Sequence, residues 1–120
     1  MRHSFQFLDE LMQGELIAEL RKRNIAYRAT RSGEVLFSAE NFEVVENEIL
    51  CAIRDRKFPA WQIFTCPAED AEKYRMVMQR DGVPYHEEMS DGALWFLLPR
   101  KYRPHSWKID SPAIAMNESR

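Results

Sequence analysis

The 120-residue chain is 45 % hydrophobic and 30 % charged, with a formal net charge of −2 and two cysteines. That composition suits one globular domain with a real core. It excludes a disordered chain, a uniformly basic nucleic-acid binder and a disulfide framework. No apolar run approaches the roughly 20 residues of a membrane-spanning helix, and Asp9, Glu10 and Glu15 interrupt the N-terminal segment as no secretory signal would. A cytoplasmic protein with reduced thiols and no membrane partner is expected.

Residues 4–8 are β-prone through Phe5 and Phe7, and Asp9 is placed to cap a helix running to about residue 23. Leu8, Met12, Leu16 and Leu20 recur every fourth residue on one face of it. Gly14 in its interior costs up to about 1 kcal/mol relative to alanine. Residues 25–31, Ser32-Gly33 and residues 34–38 read as a hairpin. A second helix is predicted over 40–56, with Phe42, Val45, Ile49 and Ile53 as its buried stripe. Residues 61–66 are again β-prone. Pro67 suits a helix start, and Glu69 and Asp70 complement the positive end of the helix dipole. This third helix stops at Gly82, and residues 83–89 and 93–98 form a second hairpin. Pro104 and Pro112 break the polar remainder, 100–120, into an extended tail.

Parts of the chain match each other. Arg23-Asn24-Ile25-Ala26-Tyr27 corresponds to Asp81-Gly82-Val83-Pro84-Tyr85, Ser32-Gly33 to Ser90-Asp91-Gly92, and Val35-Leu36-Phe37 to Leu94-Trp95-Phe96. The offset is 58 residues up to the turn (27 to 85) and 59 after it (37 to 96), so the second hairpin holds one extra residue. Asn24 and Gly82 are residue types that accept a left-handed helix end, and Ser-Gly and Asp-Gly are turn pairs. The expected organisation is one domain, 1–99, of two β-α-β-β repeats (about 4–38 and 61–98) joined by the 40–56 helix. The first repeat, the linking helix and the next strand make the ferredoxin-like order β-α-β-β-α-β. The expectation is therefore an open, six-stranded antiparallel α+β sheet of order 5-6-4-1-3-2. A pseudo-twofold would lie between strands 1 and 4, with the helices mainly on one face. The alternative is one ferredoxin-like unit with the second hairpin folded elsewhere.

Catalytic candidates are few. His3, His86 and His105 lack the spacing of a metal motif, so no metal or cofactor is expected. Only at His86-Glu87-Glu88 do an imidazole and carboxylates adjoin, and on a strand His86 and Glu88 share a face. On an outer strand such charges serve chiefly to blunt the sheet edge, and an enzyme is not expected. Cys66 precedes a helix, a position that can lower a thiol pKa, but no histidine adjoins it. Cys51 and Cys66 read as small hydrophobes.

The segment after Pro99 carries Arg100, Lys101, Arg103 and Lys108 with Tyr102 and Trp107, and no acid. Packing back onto the domain, with Trp107 in a surface groove, is the commonest outcome for such a segment. These residues are nevertheless taken as binding residues that matter more for binding than for folding, so truncation after Pro99 is expected to leave the melting temperature within a few degrees. Stacking on single-stranded nucleic acid and docking on a protein, where Trp, Tyr and Arg are favoured anchors, stay open. Arg28 and Arg31 decorate the first outer strand, whereas Glu87, Glu88 and Asp91 decorate the second.

Three function classes follow. A small binding or regulatory module acting through protein contacts, self-association included, leads. An RNA or single-strand binder would use residues 100–108 and exposed rings on the sheet, such as Phe37 and Trp95. A small-molecule sensor or enzyme would use a cleft between the repeats near Trp61, His86 and Trp95.

Overall fold

The computed structural model describes residues 2–107 and, as a strand, residues 113–116. Alternation of Phe5 and Phe7 with polar neighbours makes β1 (Arg2–Phe7) a half-buried strand. The first helix, Glu10–Lys22, buries Met12, Leu16 and Leu20 at the predicted spacing, while Leu8 before it stays exposed. Then come β2 (Arg28–Ala29) and β3 (Val35–Ser38).

The linking helix, residues 42–57, starts at Phe42–Val44, widens into π-helical turns over Val45–Leu50 and resumes as α-helix at Cys51–Lys57. Its buried side is Val45, Ile49, Leu50, Ile53 and Arg54, with Phe42 left half-exposed. The wider turns shift the inward direction, bringing Leu50 and Arg54 into a stripe that a regular 3.6-residue period does not include.

β4 (Trp61–Thr65) follows, then the third helix, Ala71–Arg80, then β5 (His86–Ser90), β6 (Ala93–Pro99) and β7 (Ala113–Met116). Among the described residues the fold is α+β, with an open antiparallel sheet and three helices. The sheet order is β2-β3-β1-β5-β6-β4-β7.

This order corrects the expected 5-6-4-1-3-2. β1 pairs with β5, not β4, so the ferredoxin-like arrangement is not formed and the second hairpin lies inside the sheet. Two features account for the exchange. Trp61, Gln62, Ile63 and Phe64 are four consecutive buried residues, which suits a strand covered on both faces and flanked by β6 and β7. Asp91, the extra residue of the second hairpin, ties that hairpin to β1. Its Oδ1 accepts the Ser4 amide hydrogen bond at 2.9 Å, and its Oδ2 lies 3.0 Å from His3 Nδ1.

The helices divide between the two faces, against the expectation of one. The first core joins the first helix and linking helix to Phe5, Phe7, Val35, Phe37, Trp61, Ile63 and Leu97. The second joins the third helix, through Ala71, Tyr74 and Met78, to Phe64, Phe96 and Leu98. Neighbours Ile63 and Phe64, like Leu97 and Phe96, point to opposite faces as a strand requires.

Local geometry at the two helix ends matches closely. Asn24 and Gly82 both take left-handed φ, 56° and 68°. Ile25 N–H donates to Leu20 O at 2.9 Å, and Val83 N–H to Met78 O at 2.8 Å. Arg21 Nε donates to Tyr27 Oη at 2.8 Å, as Gln79 Nε2 does to Tyr85 Oη at 3.1 Å.

A basic half-face of the sheet as candidate functional site

The residues singled out from sequence do not gather into one site. Trp61, His86 and Trp95 share the face under the linking helix, and that helix fills the space a cleft would need. Trp61 is buried, donates its indole N–H to Asp55 Oδ1 at 2.7 Å and lies under Arg54, 5.2 Å from ring centre to guanidinium. Trp95 packs against the first core.

His86 stands on an interior strand rather than at an exposed edge, half-buried, its ring centre 5.9 Å from that of Phe58. Burial lowers its pKa, Asp9 opposes that shift and Lys57 adds to it. Glu88 and Glu87 do point to opposite faces, but neither is a solvated edge charge. Glu88 meets Arg54 of the linking helix, and Glu87 meets Arg75 of the third helix at 2.8 Å.

The basic segment folds back. Arg100 N–H donates to Ala60 O, and the buried Gln62 side chain donates to Pro99 O and Tyr102 O. Tyr102 and Trp107 pack on the second core, Trp107 with its ring centre 6.2 Å from those of Phe64 and Tyr74. Lys101 and Arg103 are exposed, Lys101 lying over the Tyr102 ring at 5.4 Å. Lys108 lies outside the described residues.

Both thiols are partly buried, and burial is the leading cause that pushes Cys51 and Cys66 above the ordinary thiol range. Position before a helix does not activate Cys66.

A different surface stands open. First core and second core together cover one whole face and half of the other. Among the described residues no helix covers the remaining half, the side of β2-β3-β1 opposite the first helix. Its register places Arg2 beside Ser38, Ser4 beside Leu36, and Leu36 beside Arg28. All of these are exposed or half-exposed.

At the end of this half-face, where β1 and β2 begin and β3 ends, lies an open pocket of about 290 Å³. Arg2, Tyr27, Arg28, Ser38, Glu40 and Asn41 border it. Asn41 Nδ2 donates to Ser38 Oγ at 3.2 Å. Ser38 thus receives its bond from the asparagine, and its own hydroxyl proton is free to be donated.

The arginines here differ from five others. Arg23, Arg54, Arg56, Arg75 and Arg80 each hold a carboxylate. Arg2, Arg28 and Arg31 have no carboxylate partner among the described residues. Arg28 and Arg31 were legible as a basic outer strand. Arg2 was not singled out, although its alternation with Phe5 and Phe7 places it off the helix-covered face.

No protein-family model, curated protein or solved structure matches this chain. No group of three or more His, Cys, Asp or Glu side chains among the described residues is arranged to hold a metal. No helix among them is long and apolar enough to cross a membrane.

Proposed function

We propose that this chain is a small binding module, not an enzyme, that seats an acidic segment of a partner protein on the open half-face of β2-β3-β1. One observation carries the reading: Arg2, Arg28 and Arg31, none with a carboxylate among the described residues, lie together on this half-face and its edge hairpin, whereas Arg23, Arg54, Arg56, Arg75 and Arg80 are neutralised in place and Arg21 is held by the Tyr27 hydroxyl. Charge left uncompensated on one flat surface favours an oppositely charged partner and steers its approach.

Read as a duplication, the two β-α-β-β units sharpen the point. Pairing their helix-facing rings sets Phe5 against Phe64 and Phe37 against Phe96, each 59 residues apart. The outward positions then pair Arg2, Ser4 and Gln6 with Trp61, Ile63 and Thr65, and Leu36 and Ser38 with Trp95 and Leu97. In the second unit that face is apolar and takes the linking helix. In the first it is polar and cationic, a surface for a charged partner from outside.

A protein is favoured over nucleic acid because neither ring at the pocket is presented for base stacking. Phe37 is core, and Tyr27 packs against the same core with its hydroxyl held by Arg21. Exposed ion pairs contribute only about 0.2–1 kcal/mol each, so three arginines supply at most about 3 kcal/mol and support weak, salt-sensitive binding, millimolar at best from charge alone.

Fluorescence anisotropy of the full chain with a Glu/Leu-rich peptide, a lysine-rich peptide and a single-stranded RNA tests the reading. Saturable binding of the acidic peptide alone, weakened by added salt and abolished by the R2E/R28E/R31E triple variant, is the expected result. Tighter binding of RNA, or equal binding by the triple variant, overturns it.

A further inference from the structure

We infer that the pocket bordered by Arg2, Arg28, Ser38, Asn41 and Glu40 is a carboxylate clamp, taking one Asp or Glu side chain of an acidic peptide. The inference rests on the docking reading above and names its anchor point.

The pocket supplies the donors a carboxylate requires. A guanidinium presents several N–H groups in a planar fork matched to two carboxylate oxygens. Arg2 and Arg28 stand on β1 and β2, on either side of β3, and reach the same pocket. The Ser38 hydroxyl, receiving the Asn41 amide bond, adds an oriented donor between them.

Glu40 decides the class of anion. With two guanidiniums and one carboxylate at its border, the pocket has a net charge of +1. That balances a carboxylate monoanion. A phosphate group, carrying about −1.5 to −2 at neutral pH, brings more charge than the site offsets, and its oxygens meet the Glu40 carboxylate.

The volume agrees. A pocket of about 290 Å³ is at the lower limit of ligand sites, enough for one side chain with its water and too small to enclose a whole ligand. The rest of the partner must lie along the open half-face, where Leu36 and the exposed Leu8 supply apolar contact.

The test is titration of the full chain, followed by amide chemical shifts, with three versions of one Leu-rich peptide bearing a central Glu, Gln or phosphoserine. The expected order is Glu over Gln by tenfold or more, with phosphoserine no tighter than Glu. Arg2→Gln and Arg28→Gln should each remove most of the Glu/Gln discrimination. Glu40→Gln should improve phosphoserine binding relative to Glu, since it removes the repelling carboxylate. Circular dichroism spectra of the variants, which alter exposed residues, should match that of the parent chain.

If the Glu peptide shifts half-face amides but R2Q and R28Q bind it equally well, the clamp is wrong while the docking surface stands. If phosphoserine binds the parent chain tenfold tighter than Glu, the carboxylate assignment is wrong. If no acidic peptide shifts half-face amides, the docking reading fails and the clamp with it.

Discussion

Arg54 and Glu88 form a buried ion pair, Nη2 to Oε1 at 2.6 Å and Nε to Oε2 at 3.2 Å, that fastens the linking helix to the middle of the sheet. Both side chains are almost fully enclosed, at 3 % and 1 % exposure. Burial works against the charged guanidinium, but Glu88 and Glu46 hold it above its usual range. Burial likewise pushes the Glu88 carboxyl up, with Arg54 pulling it back. The arginine stays charged throughout, so the Glu88 proton governs the pair.

Removing one partner strands a buried charge, whereas replacing both by apolar residues of similar volume is often close to neutral. Glu88→Leu or Arg54→Met alone should each destabilise by about 3–5 kcal/mol. The double variant should recover most of that loss. Urea unfolding of the four proteins measures the cycle.

Asp91 joins the second hairpin to β1. Burial raises its pKa, but the bonds from His3 and the Ser4 amide outweigh this and hold the carboxyl below its ordinary value. A carboxyl depressed in the folded state contributes stability above its unfolded pKa and loses it as pH falls through the folded one. Asp91→Asn should therefore destabilise at pH 7 by about 1 kcal/mol, as for one hydrogen bond to a charged group at a partly exposed site. The difference from the parent chain should shrink at acid pH, below the ordinary carboxylate range. Chemical denaturation at both pH values checks the sign.

Trp107 makes the basic segment part of the fold. With Phe64, Tyr74 and Gln62 holding residues 99–107 against β4, truncation after Pro99 should lower Tm by well over the few degrees expected for an undocked tail. Trp107→Ala, which empties a half-buried site, should cost about 1–3 kcal/mol, below the range for fully buried aromatics. A melting temperature unchanged on truncation would refute this packing.

The thiols should be slow. Cys51 and Cys66 sit partly buried with pKa values pushed up, so little thiolate forms at neutral pH. Labelling by a disulfide reagent at pH 7.5 should lag behind free cysteine at least tenfold, and urea should abolish the lag.

Much of the local structure was legible in the residues. Leu16 and Leu20, Asn24 and Gly82, and the Ser-Gly and Asp-Gly turns announce helix faces, helix ends and hairpins, because period and backbone conformation are properties of neighbours in sequence. The opposite directions of Glu87 and Glu88 followed from the same rule.

What the sequence alone misplaced was which strand lies beside which, since it pointed to a β1–β4 seam where β1 pairs with β5. Two successive β-α-β-β stretches fit either a β1–β4 or a β1–β5 seam, since each satisfies every local preference. The choice rests on contacts between distant residues: Asp91 with Ser4, Glu88 with Arg54, and four successive buried side chains of β4 that need cover on both faces. That choice carries the third helix to the opposite face from the other two. It thereby leaves the half-face of Arg2 and Arg28 open. The candidate site was hidden for the same reason: cationic residues from β1 and β2 share a pocket only once β3 stands between them, and pairing across the sheet is a tertiary event.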